Sequence, residues 1–266
     1  MNTLRLYFHS MSILLKCHLQ YPLSFCLQTF GQLVMEGAEL LAVILLIDRF
    51  GRLGKWLPGD LFFFFGLMSV SFYLAEFFGR GLTGNFGPMV QSGQLDSLLL
   101  RPRGILTQVI CSAIDPRRIS CIAVGVVSLV LGSHLAQVHW ALPNILLLLE
   151  SIFCGFWLVL GLFLIEAIFC IYSIKSVEIS NTLTYGGRSA CQYPVDAFPL
   201  ALRILFTVIA PFALVMHVPA SQILGKPIFG WPAFAAYIAP LAGPLLYAVL
   251  SALFYRALRH YRSTGS

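Results

Sequence analysis

The chain has 266 residues, 58% of them hydrophobic and 11% charged, with a formal net charge of +6 and a mean hydropathy of +0.84. Soluble domains carry about 25% charged residues, so this composition excludes an ordinary water-soluble fold and defines an integral membrane protein. The positive charge calls for no nucleic acid, because a basic inner face meets anionic lipid.

The first 21 residues hold Arg5 and Lys16. They show no short apolar region followed by a small-residue cleavage site, and read as an uncleaved start able to form an interfacial helix. Apolar windows able to cross a bilayer core of about 30 Å then follow at Pro22 to Ile47, Asp60 to Phe78, Ile119 to Gln137, Pro143 to Ile174, Arg203 to Val218 and Ala233 to Tyr255. The expected fold is all-α, one transmembrane domain over residues 1–266, with six transmembrane helices. Basic residues in short loops stay on the cytoplasmic side. With both termini cytoplasmic, only Arg49, Arg52, Lys55 and Lys226 of the 17 Lys and Arg fall outside, and Arg188 and Arg203 fall inside.

In the first span, Gln28, Gln32, Glu36 and Glu39 recur at helical spacing and line one face. A carboxylate at bilayer depth costs about 2.5 to 3.5 kcal/mol, so this stripe faces protein or water. It is either a polar contact inside the bundle or the wall of a substrate pathway or subunit seam. Trp56 fits an aromatic belt, Asp60 reads as the N-cap of the second span, and Phe62, Phe63, Phe64 and Phe65 enter the membrane as lipid-facing bulk and core.

From Gly79 to Arg118 the chain turns polar, and a connector of that length usually has a docking or functional role. Pro88 can open a helix that ends before Pro102, with Leu95, Leu98 and Leu99 on one side and Gln94, Ser97 and Arg101 on the other. A second amphipathic piece, Ile105 to Ala113, runs to a surface mark at Asp115, Pro116, Arg117 and Arg118. Two surface-lying helices without partners, or a docking element for a cytoplasmic subunit, satisfy this pattern.

The fourth span is longer than the hydrocarbon core, and sixteen residues place Glu150 and Glu166 on nearly opposite faces, so they are no acid and base pair. Residues 175–203 read as cytoplasmic, broken by Gly186, Gly187, Pro194 and Pro199. Pro219, Gly225, Pro227, Gly230 and Pro232 predict an outer re-entrant elbow over about 219–232, and Pro240, Gly243 and Pro244 a kink in the sixth span.

Catalytic chemistry is missing from this pattern. Gly54-Lys55-Trp56 lacks the upstream glycine and the hydroxyl of a phosphate-binding loop. His134 and His139 have no third ligand, and the seven cysteines form no C-x-x-C pair and read as packing residues. The chain is expected to hold no cofactor or metal and to hydrolyse no ATP itself.

Gly93-Gln-Leu95-Asp96-Ser-Leu98-Leu99-Leu-Arg101-Pro102, followed by Leu106 and Gln108, resembles the cytoplasmic block of a six-span permease family of type-2 ATP-binding-cassette (ABC) exporters. Tyr193-Pro194, Phe198-Pro199, Arg203, Pro211, Pro219-Ala220 and Leu224-Gly225 are similar to its later block, and Tyr261 with Ser263 to Ser266 to its ending. Gln91, Ser92 and Tyr21-Pro22 depart from the family pattern. The resemblance implies a membrane permease subunit in the bacterial cytoplasmic membrane. It further implies a second permease, identical or unlike, and an ABC ATPase dimer that holds ATP and Mg. Gly93, Leu95, Asp96, Leu98, Leu99, Arg101 and Pro102 would then form the coupling helix that receives the ATPase stroke. The residues alone also admit a self-contained secondary transporter using Glu36 and Glu39 as proton or ion sites, or a membrane scaffold without transport.

Overall fold

The computed structural model describes residues 11–17, 19–172, 177–226 and 231–261. Among the described residues, five helices are long and apolar enough to cross a membrane. They are α1 (Pro22–Phe50), α2 (Pro58–Gly79), α6 (Arg118–Leu135), α7 (Leu142–Tyr172) and the C-terminal helix over Ala235–Leu258. Between α2 and α6 lie three short helices, α3 (Phe86–Gln91), α4 (Gln94–Leu99) and α5 (Ile105–Ser112). After α7 come α8 (Val177–Asn181), a π-helical turn (Thr182–Gly186) and α9 (Gly187–Cys191). Then α10 (Leu200–Ile204) and its π-helical extension (Leu205–Ile209) meet a second π turn (Ala213–His217) and α11 (Val218–Ile223). The last span begins as α12 (Ala235–Ile238), tightens to a 3-10 turn at Ala239–Leu241 around Pro240, and continues as α13 (Ala242–Leu258). The irregularity expected from Pro240 is therefore a tightened turn.

The centre of the bundle is α2. Proline in its first turn gives up no hydrogen bond, and the Asp60 carboxylate accepts the Leu57 N–H at 2.7 Å. Asp60 is thus the third residue of a capping box, with Leu57 at the N-cap position, a shift from the expected Asp60 cap. Phe63, Phe64 and Phe65 are buried, and Trp56 is 1% exposed. Of the phenylalanine run, Phe63, Phe64 and Phe65 belong to the protein core while Phe62 stays half-buried, and the expected interfacial tryptophan belongs to the core as well, because α2 is surrounded by α6, α7 and the later segments.

Helices α2 and α6 run antiparallel with their backbones nearly touching. A Cβ on Gly66 would lie 2.4 Å from the Leu129 amide, and one on Gly132 would lie 2.4 Å from the Phe63 amide. Gly59 and Gly66 on one helix, and Gly125 and Gly132 on the other, repeat every seven residues and so stay on one seam. By contrast, α1 packs on α6 and α2 along one side only and leaves Leu27, Phe30, Val34 and Met35 exposed.

The order of contacts along α2 fixes the fifth crossing. Tyr185 reaches Glu76 near the α2 C-terminus, Arg188 reaches the middle, and Asp196 reaches Trp56 beyond its N-terminus. Residues 177–196 therefore traverse the bundle antiparallel to α2. The expected crossing at Arg203 to Val218 is corrected: Leu200–Ile209 and Ala213–Ile223 are bent by 86°. Both ends of this pair lie at the Trp56 end, where the Arg203 guanidinium donates to the Asp196 carbonyl and Lys226 pairs with Asp60. Its bend carries Phe212 down to Gly187. The re-entrant element is this hairpin over 200–223, earlier than the expected elbow at 219–232, of which residues 227–230 lie outside the described residues. Gly186 and Gly187 sit within helical backbone and do not break it, whereas Pro194 and Pro199 do. Six crossings result among the described residues, with residue 22 and residue 258 at one end, here the loop end; the opposite end is the hairpin end.

Gly66→Ala forces its methyl against backbone and should lower the unfolding temperature of the detergent-solubilised protein by several degrees. Gly31→Ala, on the open side of α1 with nothing within 4 Å, should leave it unchanged or raise it slightly, since alanine gains about 0.5 to 1 kcal/mol over helical glycine.

Candidate functional site

Three charged clusters lie along α2. At mid-depth, Glu36 of α1 is 1% exposed. Its carboxylate accepts from Ser69 at 2.7 Å, from the Tyr73 hydroxyl, and from Arg188 at 2.6 Å. The same guanidinium donates to Glu39 at 3.0 Å and lies over the rings of Tyr73 and Phe72, 4.6 and 5.4 Å from their centroids. One arginine on the fifth crossing thus pairs with two carboxylates on the first. Taking charges out of water costs several kcal/mol per ion, which such close pairing and hydrogen bonding offset.

At the loop end, Arg118 opens α6 and donates to Glu76 of α2 at 2.8 Å and to Gln32 of α1 at 2.6 Å. Its neighbour Arg117 donates to Gln28 at 2.6 Å and forms a bidentate pair with Asp115 at 2.6 and 2.8 Å. Burial works to raise the Asp115 carboxyl, but the hydrogen bonds and charges of Arg117 and Arg118 hold it below its ordinary value. The Asp115 amide donates to the Phe77 carbonyl at 3.2 Å, so the loop exit is tied to α2.

At the hairpin end, Asp196 accepts from the Trp56 indole at 2.7 Å and pairs with Lys55 at 3.4 Å, with His217 3.6 Å away. The His217 ring packs on Phe64 and Trp56, at 4.6 and 5.5 Å between centroids. Burial acts to raise the Asp196 carboxyl, yet His217, Trp56 and Lys55 outweigh it and hold it at about 2.

The loop between α2 and α6 is folded into the protein. Gly93 has a φ of +71°, a left-handed conformation that glycine adopts without strain, and it splits the single expected helix from Pro88 into α3 and α4. Leu95 is fully buried and Leu98 half-buried, so Leu95 cannot seat in a partner as expected. Leu99 is 44% and Leu100 87% exposed, and Arg101, Pro102 and Arg103 are exposed beside them. The buried Gln108 amide donates to the Leu98 carbonyl at 3.1 Å and to the Arg103 carbonyl at 3.0 Å, which clamps both ends of this knob. Asp96 faces the Tyr261 hydroxyl, which burial and that carboxylate push up.

The candidate residues of the sequence thus separate. Gln28, Gln32, Glu36 and Glu39 share one face as expected, and all four bond to arginines of their own chain. The loop residues cluster apart from them at the loop end. Sequence reasoning missed Arg188, Glu76, Tyr73, Tyr185 and Asp115. One signal was available: two carboxylates on a membrane helix demand a cation at the same depth. The cysteines are free, and Cys111, Cys121, Cys154, Cys170 and Cys191 are buried packing residues. His134 and His139 are exposed at the turn between α6 and α7.

Six helical crossings, a re-entrant hairpin and a folded polar loop define a polytopic all-α membrane protein. Residues 33–265 match the model of the family described as ABC-2 family transporter protein, and the chain belongs to that family. It is an ABC transporter permease, a multi-pass transport subunit that is not itself catalytic. Such a permease associates with an ABC ATPase. No curated protein matches the chain, and no solved structure does.

Removing Arg188 strands Glu36. Arg188→Met should cost about 3 to 5 kcal/mol of stability, and adding Glu36→Gln to it should restore part of the loss, as read by unfolding in detergent. The depressed Asp196 carboxyl stabilises the fold only where it is ionised. The stability gap between wild type and Asp196→Asn should therefore be full above about pH 4 and close as the pH falls through about 2.

Proposed function

We propose that this chain is the membrane-spanning permease subunit of an ATP-driven ABC exporter in a bacterial cytoplasmic membrane. Its loop end faces the cytoplasm, a second permease, identical or unlike, completes the substrate path, and an ABC ATPase dimer below holds the ATP and Mg. The chain holds no cofactor of its own.

The observation that carries this reading is the knob of Leu99, Leu100, Arg101, Pro102 and Arg103. Exposed leucines on a polar, basic surface are what a groove on a partner recognises, and Leu95 and Gln108 give them a fixed base. The expected docking set Gly93, Leu95, Asp96, Leu98, Leu99, Arg101 and Pro102 is thereby divided. Gly93, Leu95 and Leu98 shape the element, and Leu99 with Leu100 and the arginines meets the ATPase. Arg117 and Arg118 at the loop exit hold α1 through Gln28 and Gln32, so a push on the knob reaches the first crossing.

The basic residues support the orientation. Arg80, Arg101, Arg103, Arg117, Arg118, Arg256 and Arg259 gather at the loop end, against Arg49, Arg52, Lys55, Arg203 and Lys226 at the other. Arg203 has moved to the hairpin end and Arg188 to the interior relative to the sequence expectation, and the bias keeps its sign.

Leu100→Asp together with Leu99→Asp should abolish co-purification of the ATPase while leaving the permease folded, since both side chains are exposed. Gln108→Leu should weaken the association without touching the contact surface. An undiminished complex in the double aspartate variant would remove the loop as the docking site.

A further inference from the structure

A cavity of about 410 Å³ opens beside the loop, between the segment that follows α2, the end of α7, and α8 with its π turn. Glu166 of α7 lines it, 7% exposed, with no hydrogen bond or ion pair to any described residue. Glu178, Asn181 and Tyr185 line the opposite wall from one face of a helix, at spacings of three and four. Thr83 also lines it, and its hydroxyl oxygen is buried without a partner. Arg80, the one cation among the described lining residues, is paired with Glu76 at 3.5 Å. Among the described lining residues, two carboxylates, Glu166 and Glu178, thus stand against one cation, and the Thr83 hydroxyl has unused hydrogen-bond capacity.

A carboxylate buried to this extent is costly unless a cation or donor meets it. Glu39, Glu36, Asp115, Asp196 and Asp60 each have an arginine, lysine or equivalent partner within the chain. Glu166 has no such partner among the described residues, and it lines the cavity.

We propose that this cavity binds an organic cation, the protonated amine, amidinium or guanidinium end of the transported molecule, which rests on the reading of the chain as a transport permease. The N–H donors of such a group satisfy Glu166 at the base and Glu178 at the rim, and Asn181, Tyr185 and the Thr83 hydroxyl offer further acceptors. Anionic and neutral molecules of the same shape gain nothing from Glu166. The position beside the α3 segment places the bound cation next to the loop on which the ATPase acts, on the side from which cargo is taken up.

The probe is p-aminobenzamidine, whose fluorescence reports transfer into a shielded site, added to the purified full-length chain in detergent. The wild type should bind it saturably, and Glu166→Gln should weaken binding on the order of tenfold or more. Glu178→Gln and Thr83→Val should weaken it to a smaller degree, and Glu150→Gln, toward the other end of α7, should not change it. The neutral isostere 4-aminobenzamide should not displace the probe. Absence of saturable binding to folded wild type would overturn the proposal. So would equal binding by the Glu166 and Glu178 variants, or displacement by the neutral isostere. If Glu166→Gln does not fold, Glu178→Gln and Thr83→Val decide the question alone. Binding is read without the ATPase, so its failure is separate from a failure of ATPase co-purification, which would count against the transporter reading itself.

Discussion

The organisation of this protein depends on how two carboxylates are kept in a membrane. Glu36 and Glu39 lie on the first helix, and the hydrocarbon supplies neither water nor a counter-ion, so a cation must be brought to their depth. Arg188 is that cation. Its position obliges the chain after α7 to cross the bundle immediately, although it is broken into α8, a π turn and α9. Pro194 and Asp196 then arrive at the far end, beside Trp56 and Lys55, and the following apolar residues have no crossing left to make. They fold back as a hairpin instead. The glycine seam of α2 and α6 provides the fixed core against which this arrangement is built.

This geometry explains which parts of the sequence were legible. The first four spans and the last are long apolar runs, and their existence and approximate ends follow from length and hydropathy alone. The fifth could not be found that way, because Arg188, Gly186 and Gly187 make its crossing look like a loop, while the purely apolar stretch after Arg203 looks like a span. Hydropathy measures transfer from water to lipid, and neither segment meets lipid on those terms: Arg188 is dissolved in carboxylates and aromatic rings, and the hairpin packs on α2 and α7. The same cause lies behind the phenylalanine run and Trp56, whose apolar character fits lipid and core equally until the neighbours of α2 are known.

The loop was recognisable as an element with a purpose, and its internal division was not. Periodicity places Leu95, Leu98 and Leu99 on one side of a helix. The left-handed turn at Gly93 and the Gln108 clamp rotate that side so that Leu95 anchors the loop and Leu99 and Leu100 project. The polar stripe on α1 was correctly read as one face, but two of its members serve the loop and two serve the fifth crossing. The first helix is therefore held by Arg117 and Arg118 at one end and by Arg188 at mid-depth, a bar connected to both the loop and the segment that leads to the hairpin. A displacement of the loop has a direct path into the membrane through groups whose bonds are short and charged.

The placement of residues 177–196 as a crossing is tested most directly by labelling from either side with a membrane-impermeant maleimide. Single cysteines would be placed at the exposed positions Ser97 and Ala201, in a chain freed of its seven native cysteines. If Arg188 is the intramembrane partner of Glu36, the Ser97→Cys and Ala201→Cys chains are labelled from opposite sides of the membrane. Labelling of both from the same side would contradict the crossing and, with it, the pairing on which the fold is built.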